Sequence, residues 1–135
     1  MQFRNKADYL LWLAVVGLAG WLIPGAGHFL IKQPKRGMIV FITIVLTFGL
    51  GLYIGSIGVI DSVGGWAWYI AQMMATPLVW ILDHLTRSGS YPSYGRPCDL
   101  GQIYTAVAGL LNLLSILSAM YMAYAGRGEP IGREE

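Results

Sequence analysis

The chain has 135 residues, of which 56% are hydrophobic and only 12% are charged, about half the roughly 25% charge of an average soluble domain. Its Asp, Glu, Lys and Arg residues all fall in 1–8, 32–36, 83–99 and 127–135, plus Asp61, so that 9–31, 37–60, 62–82 and 100–126 carry no charge. A soluble fold needs polar residues on the outer face of each element, and an apolar run of about 18 residues suffices for a membrane span; the four stretches therefore exclude an ordinary soluble domain.

In chain order, 9–31 is apolar but interrupted by Pro24-Gly25-Ala26-Gly27-His28. Proline lacks a backbone donor and clashes with the preceding turn. The uninterrupted part, Tyr9 to Ile23, would reach about 22 Å as a helix, short of a ~30 Å hydrocarbon core. Two geometries follow: a kinked span, or a re-entrant hairpin that enters and leaves on one side. The basic residues Arg4 and Lys6 ahead of this run resemble a signal-peptide n-region, but Asp8 interrupts them and no A-x-A site follows. Retention of the segment is the preferred reading.

Segment 37–60 reads as an uninterrupted span, and Asp61, Ser62, Gly64 and Gly65 as a tight turn. Segment 62–82 reads as a further span, with Trp66, Trp68, Tyr69 and Trp80 near its ends, where aromatic belts lie, and a kink at Pro77 softened by Thr76. Residues 83–99 form a polar loop rich in Ser, Gly and Pro, with Tyr91 and Tyr94 at headgroup level. Segment 100–126 is the last span, and 127–135 a polar tail. The fold class is an all-α integral membrane helical bundle: one transmembrane domain over 1–135, with three full spans plus an N-terminal broken helix.

Lys and Arg set orientation. If every segment crosses, Lys32, Lys35, Arg36, Arg87 and Arg96 oppose Arg4, Lys6, Arg127 and Arg133. If the first segment turns back, Arg4 and Lys6 join the larger group, leaving Arg127 and Arg133 opposite. The second arrangement fits the positive-inside tendency better, and both stay open at this point.

Helices in lipid gain nothing from burying Leu against Leu, so small residues mark their contacts. Thr43, Thr47, Gly51 and Gly55 recur every four residues and Gly58 continues the row; Thr105, Gly109, Asn112, Ser115 and Ala119 line one face of the last span. Both rows are expected to meet other helices, in the same chain or a neighbour.

The polar residues offer little chemistry. His28 with Lys32, Lys35 and Arg36 is a candidate lipid or anion contact, although a histidine capping a carbonyl at the bend, with bases that only fix orientation, is the plainer reading. Asp83 and Arg87, four apart on a helix, are an interfacial ion-pair candidate. Adjacent helical residues diverge, so Asp83 and His84 make no catalytic dyad. Gln72 and Asn112 are the amides inside spans, fit for hydrogen bonds across helices. The spans carry no charge, which argues against a proton relay or voltage sensor. Cys98 is the only cysteine, so no internal disulfide can form, and two histidines with one cysteine are too few for a convincing metal cluster. A net charge of +2 is too small a bias to point to nucleic acid. No catalytic, metal or cofactor set is assigned.

Gly20-Trp21-Leu22-Ile23-Pro24-Gly25-Ala26-Gly27-His28-Phe29-Leu30, followed by Lys35-Arg36-Gly37, resembles the W-L-x-P-G-x-G-H signature of small bacterial multi-span membrane proteins. It is loosely similar to the first helix and turn of the two-transmembrane-helix domain superfamily. Tyr69-Ile70-Ala71-Gln72, Asp99-Leu100-Gly101 and Ala108-Gly109-Leu110-Leu111-Asn112-Leu113-Leu114 resemble the later blocks of one uncharacterised bacterial family, a domain of unknown function. The resemblance runs from about residue 14 to 120 and implies a multi-pass protein of the inner (plasma) membrane, with no reaction attached. The expected role is a non-enzymatic scaffold or accessory subunit, partnered by the bilayer and by other membrane proteins or further copies of itself. An oligomeric small-solute transporter or channel is the alternative, and a lipid-active membrane enzyme a remote one.

Overall fold

A computed structural model describes residues 6–89 and 95–125. The described residues are helical, without strands. Six helices run in the order α1 (Lys6–Leu22), α2 (Ala26–Leu30), α3 (Pro34–Gly55), α4 (Trp66–Met73), α5 (Leu78–Ser88) and α6 (Gly95–Tyr124), with a single 3-10 turn at Ile57–Val59. The tail 127–135 and the tyrosines Tyr91 and Tyr94 lie outside the described residues.

Two helices, α3 and α6, are long and apolar enough to cross a membrane. Pro34 opens α3, where its missing N–H is no loss, and 22 residues give it about 33 Å. It ends at Gly55, because Ser56 takes a left-handed conformation with φ 64°; Gly58 therefore sits in the 3-10 turn and not on the helix. α6 has 30 residues, or about 45 Å, and carries Pro97 in its first turn, where proline is tolerated.

α3 and α6 run antiparallel. Near one end a side chain at Gly51 would lie 2.9 Å from the Thr105 nitrogen and 3.0 Å from the Gly101 carbonyl, and one at Gly55 would lie 2.9 Å from the Pro97 carbonyl. Near the other end the Arg36 guanidinium lies 3.1 Å from the Met122 sulfur. The helices approach closely only because these glycines carry no Cβ.

The first segment doubles back. α1 starts beside the end of α6, where the Tyr9 hydroxyl donates to the Tyr124 carbonyl at 2.7 Å. It runs inward to Gly20, turns at Pro24 and Gly25, and α2 returns along it: a side chain at Gly27 would lie 2.9 Å from the Val16 carbonyl, and Ile31 packs with Val16, Ala119 and Met122. Gly25 holds φ 83° and leaves no room for a Cβ beside the Gly37 carbonyl.

The expectation of a third span over 62–82 does not hold. The helix there stops after eight residues at Met73, about 12 Å, and the chain reverses through 74–77. α5 then returns to where α4 began: the Thr86 hydroxyl donates to the Ile57 carbonyl at 2.9 Å, and the Asp83 carboxylate accepts from the Ser62 N–H and hydroxyl, both at 2.9 Å. The stretch that reads as the start of a polar loop, 83–88, is the second half of this hairpin. The bundle thus comprises two long antiparallel helices and two hairpins that enter from opposite ends.

Candidate functional site

The tips of the two hairpins meet against the middle of α6, and proline chemistry explains how. A proline leaves the carbonyl four residues earlier without its helical donor. Pro24 does this to Gly20 and Pro77 to Met73. The Asn112 amide nitrogen donates to the Gly20 carbonyl at 3.2 Å, and the Trp21 indole N–H donates to the Met73 carbonyl at 2.9 Å. The first tip therefore supplies the bond that the second break leaves open, and α6 supplies the one that the first break leaves open.

Further carbonyls at the reversals are taken in the same way. Asn112 donates to Met74 at 3.0 Å and Ala75 at 2.9 Å, and the Thr76 hydroxyl donates to Leu22 at 3.3 Å. Gly109 lets α4 approach: any side chain there would run into the Ala71 carbonyl. Two turns along α6 from Asn112, Gln72 donates to the Val59 carbonyl at 3.1 Å and to the Thr105 hydroxyl at 2.8 Å. Both amides are fully buried, and Gln72 Oε1 and Asn112 Oδ1 have no hydrogen-bond partner. Exchanging O and N would set an amide oxygen against carbonyl acceptors, so the network fixes each orientation.

The structure separates the four proposed lipid or anion contacts. Lys32, Lys35 and Arg36 are exposed, whereas His28 is buried, with Nδ1 3.5 Å from the Ser115 hydroxyl on α6. His28 is thus neither a surface ligand nor a carbonyl cap at the bend. The expected Asp83–Arg87 pair is also replaced: Asp83 is bound to Ser62 across the hairpin, and Arg87 is not among its partners. His84 stacks on Trp80 with ring centroids 6.3 Å apart, so Asp83 and His84 engage different partners.

The two small-residue rows divide. Gly51 and Gly55 face α6, while Thr43 is exposed and its carbonyl accepts the Thr47 hydroxyl at 2.7 Å. On α6, Thr105, Gly109, Asn112, Ser115 and Ala119 face Gln72, Ala71, the hairpin tips, His28 and Gly27 in turn. Sequence reasoning missed Trp21, Thr76 and Ser62 as bonding partners. The proline rule would have named Gly20 and Met73 as freed acceptors, but their donors come from distant segments and leave no local signal.

Beside the tips lies an apolar cleft of about 560 Å³. Its walls are Leu22, Ile23 and Pro24 from the first hairpin, Thr76, Leu78 and Leu82 from the second, and Phe41, Ile44, Val45, Phe48 and Gly49 on α3.

Charge separates the two ends of the bundle. Among the described residues the end bearing Tyr9 and Tyr124 holds Lys6, Lys32, Lys35 and Arg36 with Asp8, and the opposite end holds Arg87 and Arg96 with Asp61, Asp83 and Asp99. Both termini of the described chain share the basic end, which corrects the expectation that a re-entrant first segment sets them on opposite sides. Arg4, Arg127 and Arg133 lie outside the described residues.

These features define an all-helical protein with two helices able to cross a membrane and two proline-broken hairpins locked tip to tip. A family model described as a family of unknown function, DUF6677, matches residues 15–129, and the chain belongs to that family. No curated protein and no solved structure matches it.

Proposed function

We propose that the chain is a multi-pass protein of the inner (plasma) membrane that serves as a non-enzymatic scaffold or accessory subunit, binding lipid or other membrane proteins. The observation that carries this reading is the closure of the polar centre. The carbonyls that both prolines set free are bonded to side chains of the same chain, so the reversals are held as fixed structure and offer no open polar path. Irregular backbone at membrane depth is tolerated only where protein or water covers it, and here protein covers it. The outer faces of α3 and α6 are apolar, with Ile39, Leu46, Leu114 and Leu117 exposed. The basic end is the cytoplasmic one under the positive-inside tendency.

Carbonate washing of membranes, followed by mild detergent extraction and crosslinking, tests the reading. The chain stays in the washed membrane and crosslinks reproducibly to a defined membrane protein or to itself, or carries bound lipid. A washed-off chain, or a lone monomer with neither partner nor lipid, contradicts it.

One observation favours the transporter or channel alternative. Discontinuous helices entering from opposite sides often frame solute sites, and the orphan oxygens of Gln72 and Asn112 are acceptors near the tips. Small-solute flux in proteoliposomes, abolished by Asn112→Leu in a variant that still folds, would favour that alternative over the scaffold.

A further inference from the structure

We infer that His28 is a proton-operated latch on the first hairpin: protonation of its imidazole releases α2 from α6 and opens the basic end of the bundle, while the hairpin tip stays locked. The inference goes beyond the scaffold reading, and its argument from depth rests on the chain lying in a membrane.

His28 is an ionisable side chain set far from the membrane surface. It is buried, with Nδ1 3.5 Å from the Ser115 hydroxyl. From Ser115 to Tyr124, where α6 ends, is about 14 Å, nearly half of a ~30 Å hydrocarbon core. A charge at such depth is costly, and ionisable residues found there usually serve a function. Three elements pack around α2, and among the described residues none offers a counter-charge. α1 faces it with Val16 and Gly20, α6 with Ser115 and Ala119, and α3 with Gly37 and Arg36. Arg36 is the one charged group described that acts on the imidazole, and it is itself a cation. The neutral ring is thus compatible with the closed hairpin, and an imidazolium is not.

The backbone lets α2 leave alone. Its five residues, Ala26–Leu30, lie between Gly25 and Lys32, both in the left-handed conformation, at φ 83° and 60°. Residues at the ends of an element absorb the rotation of a hinge. The bonds that lock the tip lie on the α1 side of Pro24, at Gly20, Trp21 and Leu22, so a swing of α2 about its ends breaks none of them. What the swing gives up on α6 is small: the contact of His28 with Ser115, and the packing of Gly27 and Ile31 on Ala119. It carries the charged ring toward the exposed end of the hairpin at Lys32.

The test is electron paramagnetic resonance of the full chain in bilayers. In a Cys98→Ser background, spin-labelled cysteines replace two exposed leucines, Leu30 on α2 and Leu117 on α6. At about pH 7.5 the pair shows one distance. At about pH 5, below the ordinary histidine range, a second, longer distance holds about half of the population. His28→Gln keeps the single distance at both pH values. A second pair, replacing exposed Leu85 on α5 and Leu100 on α6, stays unchanged, which separates release of one hairpin from general loosening in acid. Arg36→Gln removes the neighbouring cation and raises the pH of half-release by about half a unit. A wild type with one distance at about pH 5, a His28→Gln variant that still opens, or an equal change in the second pair overturns the inference. If His28→Gln does not fold, Arg36→Gln decides: an unmoved midpoint overturns it. Failure here leaves the scaffold reading standing, since carbonate washing and partner crosslinking are read separately.

Discussion

Asn112 sits where the two hairpins meet, and its amide nitrogen serves the carbonyls of Gly20, Met74 and Ala75. Leucine at 112 leaves those acceptors unpaired in an apolar surrounding. Amide bonds between membrane helices average about 0.6 kcal/mol with a maximum near 1.7, and unpaired buried acceptors cost about 1–3. Asn112→Leu should therefore lower stability by about 2 kcal/mol in detergent unfolding; a loss below about 0.5 kcal/mol would show that the carbonyls find other donors. Asp83 gives a second contrast. Its bonds to Ser62 tie α5 to the start of α4, so Asp83→Ala should cost about 1.5–3 kcal/mol, the range for hydrogen bonds to a charged group. Arg87→Ala should stay within about 0.5 kcal/mol, as surface changes usually do. Equal losses from both would restore the ion pair. At this scale the sequence revealed which amides bond across helices, because a lone amide in an apolar run has few other uses. It did not reveal Ser62 as the partner of Asp83: the i, i+4 rule sees only the same helix, and Ser62 is 21 residues away.

At the scale of elements, glycines divide into those that make contacts possible and those beside open space. Gly109 lies against the Ala71 carbonyl, and Gly49 has no neighbour within 4 Å of a built Cβ. Gly109→Ala should separate α4 from α6 and cost about 1–3 kcal/mol, the usual range for overpacking. Gly49→Ala should gain a few tenths to about 1 kcal/mol from helix propensity. Thermal unfolding of the two variants in one detergent checks this, and equal effects would contradict the packing. The long helices were legible in outline because composition and length suffice to mark a run such as α3. The reversal at 74–77 was not. Pro77 shows where a helix breaks, but a kink and a hairpin differ only in where the chain goes afterwards, and Ser62 and Ile57 decide that by holding Asp83 and Thr86. The first segment carried a stronger hint, since Gly25 and Gly27 beside Pro24 remove the Cβ atoms that would block a return.

The whole molecule repeats one plan twice. Each half is a proline-broken hairpin followed by a long helix, and α3 and α6 run in opposite directions. The two halves enter the bundle from opposite ends and close on each other through Trp21, Thr76 and Asn112. The sequence shows the ingredients, a Pro-Gly break early and a Thr-Pro break later, yet the opposition of the halves appears only when the second hairpin is seen to turn back. The charge pattern then takes on a simple meaning, with Lys6, Lys32, Lys35 and Arg36 on one side and Arg87 and Arg96 on the other.

Two helices able to cross a membrane, with two opposed hairpins, would distribute the exposed loops differently from three spans, and cysteine labelling in intact membrane vesicles separates the two arrangements. In a Cys98→Ser background, single cysteines replace Lys32, Val63 and Ser88, all exposed, and are challenged with a membrane-impermeant maleimide. Val63→Cys and Ser88→Cys should label from one side, and Lys32→Cys from the other. Labelling of Ser88→Cys together with Lys32→Cys, and opposite Val63→Cys, would mean that the segment through Pro77 crosses the membrane, and would contradict the paired hairpins.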